Sequence, residues 1–192
     1  MENTIETGRL IIRPVQLADV DELHTGIFSD DELMATGIYL GRVLNYEETQ
    51  QFVEEMCRPR IDSRHISPSI FLLKPTNELV GYGGLSSETN WGDLFRTTAE
   101  RLDVEIFYVF RKTYWGIGLA TEVAKAMIDY ALNRRGADRV WTSIQARNNA
   151  SQRVVEKAGM SLVQKTSHDG SEIYVYAIAN RRGKYENPKY KE

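Results

Sequence analysis

Cysteine is nearly absent: Cys57 is the single one in 192 residues. One cysteine forms no intramolecular disulfide and supplies no cysteine cluster for a metal, so a reducing compartment is the natural setting. Cys57 falls on the apolar side of a helix end, where a free thiol usually behaves as a small hydrophobe. Histidine is sparse too. His24, His65 and His168 lie far apart, with no pair at ligand spacing, which argues against a zinc site. No apolar run approaches the roughly 18 residues that read as a membrane span. The opening Met1-Glu2-Asn3-Thr4-Ile5-Glu6 is acidic and polar where a secretory signal would be basic and then apolar. The expectation is a cytoplasmic protein with no membrane partner. An excess of positive charge is also missing. The 24 Lys and Arg against 27 Asp and Glu leave a net charge of −3, which argues against a nucleic-acid partner. What is there is ordinary for a folded chain: 42% hydrophobic and 27% charged residues, enough to bury a core. The length predicts one domain over 1–192, with a core at about 7–180 and a polar tail at 181–192.

Periodicity divides the chain into strands and helices. Arg9-Leu10-Ile11-Ile12-Arg13-Pro14 reads as a first strand closed by proline. Val20, Leu23, His24, Ile27 and Phe28 carry helical spacing. Asn45 with Glu48 forms a capping box ahead of the stripe Phe52, Val53 and Met56. Ser69 to Leu73 and Leu79 to Leu85 flank a turn and predict a hairpin. Glycines 81, 83 and 84 weaken that second strand unless a backbone or ligand approaches closely. Residues 86–100 read as a long polar loop, interrupted by Trp91 and Phe95. From Leu102 to Val109 the residues alternate: Leu102, Val104, Ile106 and Tyr108 share one face, and Asp103, Glu105 and Phe107 the other. The strongest helix follows, with Ala120, Val123, Ala124, Met127, Ile128, Ala131 and Leu132 in register and Gly136 as its stop. A strand from Arg139 to Ile144 precedes a helix capped by Asn148 or Asn149 and ended by Gly159. A closing hairpin around Asp169-Gly170 completes an α+β (three-layer α/β) pattern with a mixed sheet of about seven strands and about four helices.

The segment from Glu105 to Asn133 concentrates the chemistry. Gly116 and Gly118 stand where the strongest helix begins, and a glycine turn at a helix N-terminus offers N–H groups and partial positive charge to an anion. The same glycines also serve as a plain tight turn. A P-loop needs Gly-x-x-x-x-Gly-Lys-Ser/Thr, and no such run exists. A dinucleotide fold needs a third glycine where Thr121 stands. Asn148-Asn149-Ala150-Ser151 opens the next helix, where Asn and Ser are also the preferred caps. Ser167-His168-Asp169 is contiguous, and such neighbours cannot fold onto one another as a catalytic triad must.

Four segments carry a family resemblance. Glu105-Ile106-Phe107-Tyr108-Val109 with Tyr114-Trp115-Gly116-Ile117-Gly118-Leu119-Ala120-Thr121-Glu122 resembles the acetyl-CoA motif of the GNAT N-acetyltransferases. The run from Asn148 to Met160 is similar to that family's Asn-x-x-Ser…Glu-Lys-x-Gly-Phe segment. Thr7-Gly8-Arg9-Leu10-Ile11-Ile12-Arg13-Pro14 resembles the opening of its ribosomal-protein (Rim-type) branch. These matches lie in family order from residue 7 to about 178. The resemblance implies a mostly antiparallel twisted sheet splayed open between the Glu105 and Val140 strands, with acetyl-CoA as cosubstrate and no metal. The pantetheine arm would pair with the backbone of Phe107 and Val109, with Tyr108 between them, as an added strand does. Tyr114 belongs to the same motif, and the pyrophosphate would rest on the N–H groups from Trp115 through Gly116, Ile117, Gly118 and Leu119 to Ala120. Arg111 and Lys112 are close enough in sequence to assist, or are solvated surface charge.

The implied reaction is direct attack of a primary amine on the acetyl thioester, and a base must first take the ammonium proton. Glu105 is the leading base or an anchor for the amine; Glu88 is the reserve. A neighbouring Asp103 or burial would raise the Glu105 pKa. A strand N–H near Phe107 would meet the negative charge on the acetyl oxygen. Ser151 would protonate the departing thiolate, and Asn148 would hold the pantetheine amide. Lys112, Thr113 and Met160 depart from the family's usual Pro, Arg or Gln, and Phe. A non-catalytic CoA-binding module on the same fold is the alternative; the presence of both Glu105 and Ser151 favours the enzyme. The acceptor, a protein N-terminus or a small-molecule amine, stays open, as does a longer acyl group. Trp91 and Phe95 mark either the acceptor pocket or a homodimer contact.

Overall fold

In a computed structural model of the chain, the structure describes residues 4–35, 41–58, 68–87, 101–168 and 170–180. The strands are β1 (Ile5–Glu6), β2 (Leu10–Pro14), β3 (Ser69–Leu73), β4 (Glu78–Ser86), β5 (Asp103–Phe110), β6 (Arg139–Gln145), β7 (Ser161–His168) and β8 (Ser171–Ala179). They form one eight-stranded sheet in the order β1-β2-β3-β4-β5-β6-β8-β7. Every neighbouring pair is antiparallel except β5 and β6. The β3–β4 hairpin turns through Asn77 at φ 56°, a conformation that Asn tolerates better than other residues with a side chain.

The helices form where capping and periodicity predict them. Helix α1 is a continuous run of a 3-10 turn (Leu17–Asp19), an α turn (Val20–Leu23) and a π turn (His24–Phe28). Arg13 grips Asp19 with two hydrogen bonds of 2.8 and 2.7 Å, which ties α1 to β2. A single-turn α2 (Asp31–Met34) follows. In α3 (Tyr46–Cys57) the expected capping box is complete: Asn45 Oδ1 accepts from Glu48 N–H at 2.9 Å, and Glu48 accepts from Asn45 N–H at 2.9 Å. Helix α4 (Leu119–Asp129) widens into a π turn (Tyr130–Arg134), and Gly136 at φ 70° ends the run. Helix α5 (Asn149–Lys157) starts from Asn148 as its cap.

Packing separates the layers. Leu10, Ile106, Val123, Met127, Val140 and Val155 lie in one core that joins the sheet to α4 and α5. On the opposite face of the N-terminal strands, Leu23, Ile27, Phe28, Val53, Ile70 and Tyr82 join α1–α3 to β3 and β4. The three-layer expectation therefore holds. Among the described residues, the sheet has one more strand and the fold one more helix than expected, because β1 and α2 are too short to show a period. The turn residue Asp169 of the closing hairpin and the tail from 181 lie outside the described residues.

The sheet forks at its middle. Strands β5 and β6 pair at three positions only: Asp103 with Arg139, Val104 with Val140 and Glu105 with Trp141. Beyond Glu105, β5 continues beside β4 as far as Phe110, and β6 continues beside β8 as far as Gln145. The two parallel strands thus separate toward their carboxyl ends, the edge at which open α/β sheets bind ligands.

Candidate active site

The fork exposes one backbone edge of β5. Arg111 N–H donates to Val80 O at 2.9 Å, toward β4. The carbonyl oxygens of Phe107 and Val109 also face β4, so close to Gly83 and Gly81 that a Cβ at either glycine would clash with them. The glycines of β4 are therefore explained by close backbone approach. A strand alternates the direction of its backbone groups. Ile106, Tyr108 and Phe110 consequently turn theirs toward the opening, and within the expected Phe107–Val109 stretch it is the Tyr108 backbone that faces it. The Phe110 carbonyl already accepts the Trp115 indole N–H at 2.7 Å, which folds the next loop back over the strand end.

That loop leads into α4. Gly116 and Gly118 have φ of 78° and 85°, which a side chain would strain, and a Cβ on Gly116 would meet open space. Gly118 occupies the cap position, and no side chain caps the helix. The first N–H groups of a helix have no partner within it. Among the described residues, no backbone hydrogen bond uses the N–H of Gly116, Ile117, Gly118, Leu119 or Ala120. Trp115 differs: its N–H donates to Lys112 O at 3.0 Å, so the open row begins at Gly116. Trp115 and Ile117 are exposed beside it. Five unpaired donors at a helix N-terminus fit a diphosphate.

Across the fork, α5 begins differently. Asn148 Oδ1 accepts Ser151 N–H at 3.1 Å, so the capping role of Asn148 is real and its carboxamide oxygen is engaged. This leaves the Ser151 hydroxyl in the first turn, half-buried. Tyr108 reaches it from β5. The Tyr108 hydroxyl is buried and makes no hydrogen bond of good geometry among the described residues. Burial raises its pKa well above the ordinary range, and the Ser151 hydroxyl acts in the opposite sense. The tyrosine thus keeps its proton and faces the serine.

Glu105 stands at the floor of the fork, level with Ser86 on one side and Trp141 on the other. Burial lifts its carboxyl pKa to about 7. Asp103 plays no part in that shift. It is committed to the buried Arg139 and, at 2.9 Å, to Arg101, so it brings no unpaired charge to Glu105. Of the two expected causes, desolvation is the operative one.

Other expectations resolve against the site. Arg111 donates to Glu22 O at 3.1 Å and lies 3.6 Å from Glu78. Lys112 pairs with Glu32 at 2.6 Å and Asp30 at 3.0 Å. Both are tied to carboxylates of the α1–α2 side and β4. Cys57 donates its thiol to Val15 O at 3.5 Å, and burial, with Asp19 nearby, raises its pKa, so it persists as the thiol. Glu88, Trp91 and Phe95 lie outside the described residues. Among the described residues, no three His, Cys, Asp or Glu are grouped to hold a metal, and no helix is long and apolar enough to cross a membrane. Two contributors escaped the sequence reading: the Tyr108 side chain, which alternation assigns to the core, and Arg9, which reaches Ile117 from far along the chain.

Comparison with known proteins agrees with this geometry. A curated relative, the uncharacterized protein YkkB of Bacillus subtilis (strain 168), is 27% identical over 172 residues, which span 88% of this chain and 92% of YkkB. The crystal structure of an acetyltransferase (GNAT family) from Bacillus anthracis superposes with a TM-score of 0.71 at 26% identity, covering 92% of this chain and 98% of that one. RimL, a ribosomal L7/L12 alpha-N-protein acetyltransferase solved in complex with coenzyme A, shares the fold with a TM-score of 0.74 at 16% identity, over 93% of this chain and 98% of RimL. The family model for the acetyltransferase (GNAT) domain matches residues 9–161, a span that holds the glycine loop, the fork and the Asn148–Ser151 turn. On that match, the chain belongs to the GNAT acetyltransferases.

Proposed function

We propose that this protein is an acetyl-CoA-dependent N-acetyltransferase acting on a primary amine, presented by a protein N-terminus or a small molecule, in the cytoplasm. One observation carries the reading: the sheet forks directly above a carboxyl group that burial lifts to about 7, with two helix N-termini at the mouth. The fold shared with RimL, which acetylates a protein N-terminus, supports the Rim-type acceptor class. Bound acetyl-CoA supplies the activated acyl group and a thiol leaving group. The residues of the chain do the rest. The N–H groups from Gly116 to Ala120 receive the diphosphate, and the β5 edge at Tyr108 aligns the pantetheine arm as an added strand. Glu105 takes the proton that makes the amine nucleophilic; a base with a pKa near the working pH is well matched to that task. The Tyr108 N–H, turned into the fork, meets the negative charge on the acetyl oxygen. Ser151 donates its hydroxyl proton to the departing sulfur and recovers one from the nitrogen, which sheds its second proton as the amide forms. The protonated Tyr108 hydroxyl faces the serine from β5 and supports it by donating to its oxygen as the proton leaves, since a hydroxyl that accepts a hydrogen bond donates a stronger one.

Calorimetric titration with acetyl-CoA, followed by an amine and N-terminal peptide panel, tests the reading. Micromolar binding with turnover supports it; binding without turnover on any amine points to a CoA-binding module, and no binding sinks it. The split between kcat and KM separates base from anchor, because losing a base lowers kcat and losing an anchor raises KM. As a base, Glu105 must be deprotonated, so kcat/KM rises with pH through a limb near 7, and Glu105→Gln removes the limb along with about 10²–10⁴-fold of rate. The same shift bears on stability. Between the unfolded carboxyl pKa and about 7, the folded state holds the proton and the unfolded state does not, so stability falls as pH rises through that window. Glu105→Gln therefore gains roughly 1–3 kcal/mol over the wild type at pH 8 and nothing at pH 4.

A further inference from the structure

We propose that Arg9 is a positioning residue that aims the diphosphate-binding loop, an inference that rests on the cofactor reading above. Arg9 precedes β2, yet its side chain ends on α4 and its entry loop. Its Nη1 donates to Ile117 O at 2.9 Å, its Nε to Glu122 Oε2 at 2.7 Å, and its backbone N–H to Glu122 Oε1 at 2.8 Å. One residue thus fastens the loop carbonyl and the first helical turn to the same strand. The preceding Thr7 closes a tight turn with Leu10, accepting its N–H at 2.9 Å, which presents Arg9 to the helix. Gly8 fits the same corner: a Cβ there would stand 3.6 Å from Glu122 Oε1.

The consequence is directional. In a trans peptide the C=O and the following N–H point opposite ways. Holding Ile117 O toward Arg9 turns the Gly118 N–H away from the guanidinium and into the open row of donors. The grip also answers a charge problem. Glu122 lies in the first turn of α4, where its carboxylate suits the helix dipole but would repel an arriving diphosphate. Partial burial pushes that carboxyl up, yet hydrogen bonds from Thr7 and Arg9 outweigh it and hold it ionised. Arg9 offsets the charge where it stands. The pair is half-exposed, so as an ion pair it adds little to stability. Its effect is on orientation and local field.

The test uses the full chain, with coenzyme A and inorganic pyrophosphate as probes. Binding is read by calorimetry, and the Gly118 amide is followed by its ¹H–¹⁵N resonance. Arg9→Ala is expected to weaken CoA about tenfold with Tm nearly unchanged, and to abolish the Gly118 response to pyrophosphate. Arg9→Lys reaches one partner and not both, and falls between. Glu122→Gln removes the charge and leaves Arg9 a single acceptor oxygen there, while the Arg9 contact to Ile117 O remains, so it binds CoA more tightly than Arg9→Ala does. Wild-type affinity in Arg9→Ala, or an equal loss in Glu122→Gln, overturns the proposal. A wild type whose Gly118 amide answers pyrophosphate through Arg9 while CoA does not bind keeps the positioning role and removes the cofactor reading. CoA binding that ignores Arg9 does the reverse, and a wild type that answers neither probe removes both.

Discussion

Helices α4 and α5 start at the same edge of the sheet, each after one arm of the fork, and they start in opposite ways. The α5 terminus is closed by a side chain: Asn148 takes the Ser151 N–H. At α4 the terminus is left open, with a left-handed glycine at the cap and no side-chain partner. A cap of the Asn type contributes about 1 kcal/mol to a helix. The chain forgoes it at α4 and places two glycines in the loop before it. The difference teaches where ligand chemistry sits. Backbone donors at α4 wait for an anion, whereas α5 uses its cap to fix a turn from which a hydroxyl projects. In the proposed function, one terminus binds with main chain and the other acts with a side chain.

The strongest way to break that contrast is to close the open terminus. Gly118→Val forces a β-branched residue to φ 85° and should cost on the order of 1–3 kcal/mol of local strain. Acetyl-CoA affinity should fall by about two orders of magnitude, because the donors lose their alignment. Gly136→Ala supplies the control. It stands at φ 70° with open space around its Cβ, at the far end of the same helical run, and it should lose stability without losing affinity. Equal affinity losses in the two variants would reduce the glycine loop to a turn.

The contrast sharpens at α5, where cap and hydroxyl can be removed separately. Ser151→Ala leaves its N–H on Asn148, so the helix start survives while kcat drops by roughly a hundredfold at unchanged acetyl-CoA affinity. Asn148→Ala does the opposite: it lowers stability by about 1 kcal/mol through the lost cap, with a smaller effect on kcat. Thermal melts beside steady-state kinetics distinguish them. If Ser151→Ala loses stability and keeps its rate, the turn is structural and the proton donor lies elsewhere.

Much of this was legible in the residues. The Asn45–Glu48 box, the alternation of β5 and the stripe of α4 each announced a local structure that formed as read, because each depends on neighbours within a turn or two. The Gly116–Gly118 pair announced the loop for the same reason. What escaped depended on partners far along the chain. Alternation tells which face of the sheet a side chain takes, but not which edge its backbone addresses. That is set by pairing with β4, which takes the backbone groups of Phe107 and Val109 and leaves those of Tyr108 facing the opening. Asp103 looked like a neighbour for Glu105 until Arg139, brought alongside by the parallel register, claimed it. Arg111 and Lys112 looked available to phosphates, yet carboxylates of β4, α1 and the α2 turn hold them.

The smallest expected effect falls on the residue that joins the two arms. Tyr108→Phe removes a buried hydroxyl that has no well-formed hydrogen bond, so it should leave stability unchanged or slightly raised, since no satisfied polar contact is lost. If the hydroxyl supports Ser151, kcat falls by a few-fold, and the loss is absent when Ser151 is already alanine. That non-additivity, measured in a double-mutant cycle on kcat, is the signature of two groups acting as one. Additive losses would mean that tyrosine and serine touch the reaction independently, and unchanged turnover would make Tyr108 a ring in the core whose backbone alone matters. A single absent oxygen atom thus decides whether α5 acts alone or with the strand across the fork.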